Sequence, residues 1–174
     1  MERDLGHYRK NYERNPLIKE GVPENPMELF QQWFLVADAF DGIEEANVMS
    51  IATLGLDGYP KNRIVLLKRY TWEGFIFYTN YESEKGRAIA ENPNVCLNFF
   101  WHSLEHQIVI KGKAEKIAAN LSDGYFESRP DGSKLGAWAS DQSREIESRE
   151  ELDSKLAHYG QLQHQRSGEG QHHG

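Results

Sequence analysis

The 174-residue chain has a single cysteine, Cys96, so no disulfide can form within it and a reducing, cytoplasmic setting is the natural expectation. Long apolar runs are missing too. No stretch approaches the roughly 20 residues that a membrane-spanning helix needs, and the mean hydropathy is -0.72. The opening residues Met1-Glu-Arg-Asp-Leu-Gly-His7 lack the apolar centre of a secretory signal. Basic excess is also lacking: 20 Lys and Arg against 27 Asp and Glu give a net charge of -7. No global footprint for nucleic acid exists, and neither nucleic acid nor a membrane is expected as a partner. Any anion site must be a local cluster of cations.

The chain also lacks the common catalytic motifs. It has no Gly-x-Ser-x-Gly elbow, no P-loop, no Gly-x-Gly-x-x-Gly after a strand and no His-Glu-x-x-His. No metal site is expected. Cys96 lies inside an apolar strand-like run and reads as a small buried hydrophobe rather than a nucleophile.

With 39% hydrophobic residues, the chain is long enough for one real core. Residues 1–20 mix charges and aromatics without an apolar face and read as an arm. Residues 21–158 read as the folded domain. Residues 159–174 read as a low-complexity, disordered tail, holding most of the four histidines found in the last 17 residues. The spacing of Leu29, Phe30, Trp33, Phe34, Ala37 and Phe40 predicts a helix over about 26–41, capped by Asn25 with Pro26 at its first position. Its aromatic stripe reads as core. Short β-rich runs at 48–54, 62–69 and 74–80, separated by Asp57-Gly58 and Glu73-Gly74, predict three hairpin-linked strands. A helix follows Ser83 and ends before Pro93, and two more strands are expected at 94–101 and 107–117. Helices are predicted at 120–128, 133–139 and 148–159, the last with Ser148 and Glu151 as a capping box. Five antiparallel strands with flanking helices predict a mainly β (α+β) fold, a small closed barrel.

The stretch Lys61-Asn-Arg-Ile-Val-Leu-Leu-Lys-Arg-Tyr70 is the centre of this plan. Four consecutive apolar residues predict a strand covered on both faces, with Arg63 and Lys68 at its ends. Strict alternation sends those two cations to opposite faces. Three readings stay open: a bulge re-aims one of them, the strand serves two anionic ligands, or both charges simply reach water. Other cations, hydroxyls and amides collect at element ends: Thr79, Ser83, Lys85, Gln107, Arg129, Ser133, Gln142 and Ser143. Such groups suit phosphate and heteroaromatic recognition. Ser83 and Lys85 open a helix, where N–H groups, the dipole and an ammonium favour an anion.

Several blocks carry a family resemblance: Arg63-Ile-Val-Leu-Leu-Lys68, Phe77-Tyr-Thr-Asn80 with Ser83-x-Lys85, Trp101-x-x-Leu-Glu-x-Gln107, Tyr125-Phe-x-Ser-Arg-Pro130, and Gly136-Ala-Trp138 before Gln142-Ser143. In order and spacing they resemble the pyridoxine/pyridoxamine 5'-phosphate oxidase family over about residues 4 to 157. The resemblance implies an antiparallel FMN-binding split β-barrel, a homodimer with FMN between the subunits, and oxidation of pyridoxamine or pyridoxine 5'-phosphate by O2 to pyridoxal 5'-phosphate with H2O2. It implies FMN contacts from Arg63, Lys68, Tyr78, Thr79, Lys85, Gln107, Gln142 and Ser143. Substrate contacts are implied for Arg9, Tyr12, Lys68, Tyr125, Arg129 and Ser133. Two departures are visible. Glu84 stands where the family often carries a basic residue. The family's C-terminal segment, with a Trp, an Arg and an Arg-x-His pair, has no counterpart here, which reads as truncation, a frameshift or a variant end. No catalytic residue is therefore assigned. The alternatives are a truncated FMN- or pyridoxal-phosphate-binding homologue without useful turnover, and a flavin reductase or haem-handling relative.

Overall fold

A computed structural model describes residues 3–13, 16–118 and 148–169. The elements run α1 (Pro26–Asp38), β1 (Val48–Leu54), β2 (Pro60–Thr71), β3 (Gly74–Phe77), α2 (Glu84–Glu91), β4 (Asn94–Trp101), β5 (His106–Lys113) and α3 (Arg149–Glu169). The five strands form one sheet in the order β3-β2-β1-β4-β5, so the three hairpin-linked strands stand side by side as expected. The helices expected at 120–128 and 133–139 lie outside the described residues.

By contact the chain divides into two units, one built from Met1–Ala52, Asn62–Phe77 and Cys96–Lys111, the other from Thr53–Lys61, Tyr78–Val95 and Gly112–Gly174. The first holds an aromatic core. α1 begins as the sequence dictates: Asn25 Oδ1 accepts from Met27 N at 2.9 Å, with Pro26 in the first turn where its missing N–H costs nothing. The helix lays Phe30, 3% exposed, among Phe75, Tyr70 and Phe99 at ring-centroid separations of 4.8, 5.1 and 5.3 Å. Trp101 sits against the same ring, and its indole Nε1 donates to Ala46 O at 3.0 Å, so the buried N–H has its acceptor. Leu97, Phe99 and Trp101 alternate inward along β4, as the period of two requires.

β2 departs from the expectation of a strand covered on both faces. Val65 and Leu67 are buried, while Ile64 between them and Arg63 is 67% exposed. Its pairing with β3 changes register: Leu67 faces Phe77 but Arg69 faces Ile76, so Lys68 is an extra residue, a β-bulge. The bulge resets the alternation, so Leu67 and Tyr70 both belong to the core side while Lys68 and Arg69 are both exposed. Ile64, Phe100 and Val109 leave an apolar outer face on β2, β4 and β5. β3 ends at Phe77, three residues short of the expected end, because the chain turns at Asn80 to cap α2. Cys96 is half-buried rather than buried, since even-numbered positions of β4 point away from the core.

In the second unit the β1–β2 turn closes with Gly55 N donating to Tyr59 O at 2.8 Å, and Gly58 takes φ +80°, where a side chain would be strained. α3 starts where Ser148 Oγ accepts from Glu151 N at 3.3 Å, as its capping box predicts. It continues to Glu169, ten residues beyond the expected end. Leu, Gln and Arg are good helix formers, and their lack of an apolar stripe does not stop a helix. Among the described residues no helix is long and apolar enough to cross a membrane.

Candidate functional site

In the second unit a cluster of polar side chains lies where the chain leaves β3 and enters α2. Ser83 is fully buried; its Oγ donates to Asn80 O at 2.6 Å and accepts from Gly86 N at 3.2 Å, which caps the helix. The turn beneath it is tight. Asn80 Oδ1 accepts from Glu82 N at 2.8 Å, and a Cβ on Gly86 would sit 2.3 Å from Tyr81 O and 2.6 Å from Asn80 O. Only glycine permits that approach, and the approach returns Thr79 to the start of the helix. There Lys85 Nζ donates to Thr79 Oγ1 at 2.6 Å and lies 3.5 Å from Ser83 Oγ, with only 8% of the residue exposed.

Burying an ammonium costs free energy unless its hydrogens are taken and its charge is answered. The Thr79 and Ser83 hydroxyls accept two of its hydrogens. Having accepted from Lys85, the Thr79 hydroxyl still has its own hydrogen to donate. An ammonium, hydroxyls and the positive end of a helix form a donor set suited to a phosphate dianion. The residues present therefore fit the phosphate end of FMN.

Lys61, for which the sequence reading proposed no role, stands beside this cluster. Its Nζ contacts Glu84 Oε1 and lies 2.9 Å from Asp57 Oδ2. The hydrogen bonds to Glu84 and then to Asp57 raise the ammonium pKa, while Lys61 and the Tyr59 N–H hold the Asp57 carboxyl below its ordinary value. The clue was available: Lys61 has the parity of Arg63 and is four residues after the acidic turn residue Asp57.

The remaining expected residues are distributed as follows. Tyr78 is half-buried directly before Thr79, in the second unit. In the first unit Arg63 is half-buried on β2, and Lys68 is exposed on the bulge. Gln107 lies on the outer face and donates to Asn98 Oδ1 at 2.8 Å. Arg9 and Tyr12 are exposed on the N-terminal arm, whose Lys10 Nζ is 3.2 Å from the largely buried Glu105 carboxylate. Tyr125, Arg129, Ser133, Gln142 and Ser143 lie outside the described residues. Among the described residues no group of three or more His, Cys, Asp or Glu is placed to hold a metal ion. His106, at the start of β5, stacks on Trp33 with centroids 4.0 Å apart and an interplanar angle of 11°. Its buried Nδ1 has no hydrogen-bond partner among the described residues, and burial lowers the imidazole pKa.

The five-stranded antiparallel sheet and its helices are those of FMN-binding split barrels. The chain superimposes on PhzG from Burkholderia lata 383, solved with tetrahydrophenazine-1-carboxylic acid, at TM-score 0.76 and 27% identity, covering 83% of this chain and 72% of that one. An FMN-binding protein of Nostoc punctiforme related to pyridoxamine 5'-phosphate oxidase shares the fold at TM-score 0.57 and 15% identity, over 76% of this chain and 73% of that one. Within that class, residues 36–163 match the pyridoxamine 5'-phosphate oxidase family, and the chain belongs to it. It is 64% identical to pyridoxine/pyridoxamine 5'-phosphate oxidase of Flavobacterium psychrophilum, over 88% of this chain and 72% of the relative. Against the Flavobacterium johnsoniae protein of the same name identity is 56%, again over 88% and 72%. The family is one of FMN-dependent oxidoreductases.

Proposed function

We propose that this protein oxidises pyridoxamine 5'-phosphate or pyridoxine 5'-phosphate to pyridoxal 5'-phosphate with FMN as cofactor. O2 takes up two electrons and two protons to become H2O2; the amine form also consumes water and releases ammonia. The observation that carries the reading is the buried Lys85 ammonium held on Thr79 at the capped start of α2. Lys85 and Thr79 hold the FMN phosphate, with Arg63 as the second cation. Tyr78 and Gln107 lie along the flavin, and Gln142 and Ser143 approach it from a second copy of the chain. Lys68, Tyr125, Arg129 and Ser133 hold the substrate phosphate, and the arm carrying Arg9 and Tyr12 shields the substrate from water. Bound FMN supplies the electron acceptance and the reaction with oxygen. The protein's own task is to hold two flat, phosphorylated molecules ring to ring, which requires charge-assisted hydrogen bonds and no strong acid or base.

A homodimer fits the outer face of the sheet, where Ile64, Phe100 and Val109 are exposed and Gln107, the proposed flavin contact, also lies. The single cysteine suits a cytoplasmic setting.

The test is to load purified protein with FMN and follow H2O2 release with each B6 phosphate. Lys85→Ala removes a charged hydrogen bond and weakens FMN binding by about tenfold to a hundredfold. Riboflavin, which lacks the phosphate, loses nothing. FMN binding without oxygen consumption would make the chain a binding protein, and equal losses for FMN and riboflavin would refute the assignment of Lys85 to the phosphate.

A further inference from the structure

One residue before Lys85, the first turn of α2 carries a carboxylate. Glu84 adds negative charge next to a cluster whose chemistry selects a dianion, and left to itself it would repel the ligand that Lys85 and Thr79 attract. The structure gives Glu84 a partner of opposite sign. Lys61 Nζ contacts Glu84 Oε1, and both side chains are only 31% exposed. Lys61 is itself fixed in place, 2.9 Å from Asp57 Oδ2, while Asp57 Oδ1 accepts from Tyr59 N at 3.2 Å.

The turn is shaped to allow this. A Cβ on Gly55 would stand 2.6 Å from Asp57 Oδ1, 2.9 Å from Lys61 Cε and 2.9 Å from Tyr59 O. Gly55 is buried, so the lysine stem and the aspartate pack directly over its bare Cα. The β1–β2 turn and the start of α2 are thereby linked through one cation between two carboxylates.

We propose that Lys61 is a positioning residue for the phosphate site: by holding the Glu84 carboxylate in an ion pair, it prevents that carboxylate from opposing the phosphate bound by Lys85. The inference rests on the FMN reading above and deepens it. Lys61 acts through Glu84, so removing Glu84 abolishes the need for it. A merely structural lysine would show no such dependence.

The experiment titrates the apo 174-residue chain with FMN and, separately, with riboflavin, following flavin fluorescence at low and high salt. Lys61→Ala is expected to weaken FMN binding about threefold to tenfold and to leave riboflavin unchanged. Glu84→Gln is expected to tighten FMN binding. In the Lys61→Ala/Glu84→Gln double variant FMN affinity returns to within about twofold of the parent, and the Lys61→Ala defect shrinks as salt screens the freed carboxylate. Loss of affinity in the double variant as large as in Lys61→Ala alone would overturn the inference, as would parallel losses for riboflavin. If Lys85→Ala weakens FMN while Lys61→Ala does not, the inference falls and the proposed function stands. A parent chain that fails to take up FMN sinks both.

Discussion

Gly86→Ala offers the sharpest check on how α2 is seated, because two general rules give opposite signs for it. In an open helix the change favours folding by about 1 kcal/mol, since alanine loses less backbone entropy. Here the added Cβ would lie 2.3 Å from Tyr81 O and 2.6 Å from Asn80 O, both backbone atoms, so the helix start must retreat by roughly 0.7 Å to reach even 3.0 Å. Retreat lengthens the Ser83 Oγ to Asn80 O bond, now 2.6 Å, and separates Lys85 from Thr79. Overpacking of this kind costs about 1–3 kcal/mol, and a weakened buried hydrogen bond adds about 1 kcal/mol. The clash outweighs the propensity gain, leaving a net loss of about 1–3 kcal/mol. For a chain of this length that is a fall in Tm of about 2–12 °C. Circular dichroism melts of the apo variant measure it. Repeating the melts at fixed FMN separates the site from the fold. If affinity drops tenfold, the stabilisation conferred by excess FMN falls by about 1.4 kcal/mol. An apo variant that melts at or above the parent temperature would show that α2 is not pressed onto the 80–81 carbonyls.

Two further expectations follow from the first unit. Phe30→Ala empties the middle of the cluster formed with Phe34, Tyr70, Phe75, Phe99 and Trp101, and should cost about 3–5 kcal/mol in urea unfolding. Burial disfavours the charged imidazole of His106, so its folded pKa lies below the unfolded value near 6.5. The unfolded chain therefore takes up the proton first, and the stability due to this group is present above about pH 6.5 and lost as pH falls toward the folded pKa. Urea midpoints measured between pH 7.5 and 5 should decline more steeply in the parent than in His106→Phe, and equal slopes would refute the assignment.

Much of this architecture was legible in the sequence. Asn25 and Ser83 announce their helices because a capping side chain is a local chemical requirement, met within three residues. The strands follow from β-branched and aromatic runs between turn residues, and β4 falls at 94–101 as expected. β2 was harder. A run of Ile-Val-Leu-Leu looks the same whether its outer face meets protein or water, and periodicity alone did not reveal that Ile64 is exposed. The bulge stayed one of three readings because it arises from how β2 meets β3, a non-local fact. For the site, Ser83, Thr79 and Lys85 were recognisable as a short-range cluster. The pairing of Lys61 with Glu84 was not, because 23 residues separate the partners and only the folded turn brings them together.

The extra residue in β2 has a consequence for how this strand tolerates change in length. Excising Lys68 would leave Leu67, Arg69 and Tyr70 in plain alternation, with the same two side chains directed inward and one cation fewer displayed. A one-residue excision, ordinarily ruinous within a central strand because it inverts everything downstream, would here straighten the ladder and spare the hydrophobic interior. The strand thus separates what it packs from what it presents, so the outward display can be rewritten without renegotiating the core.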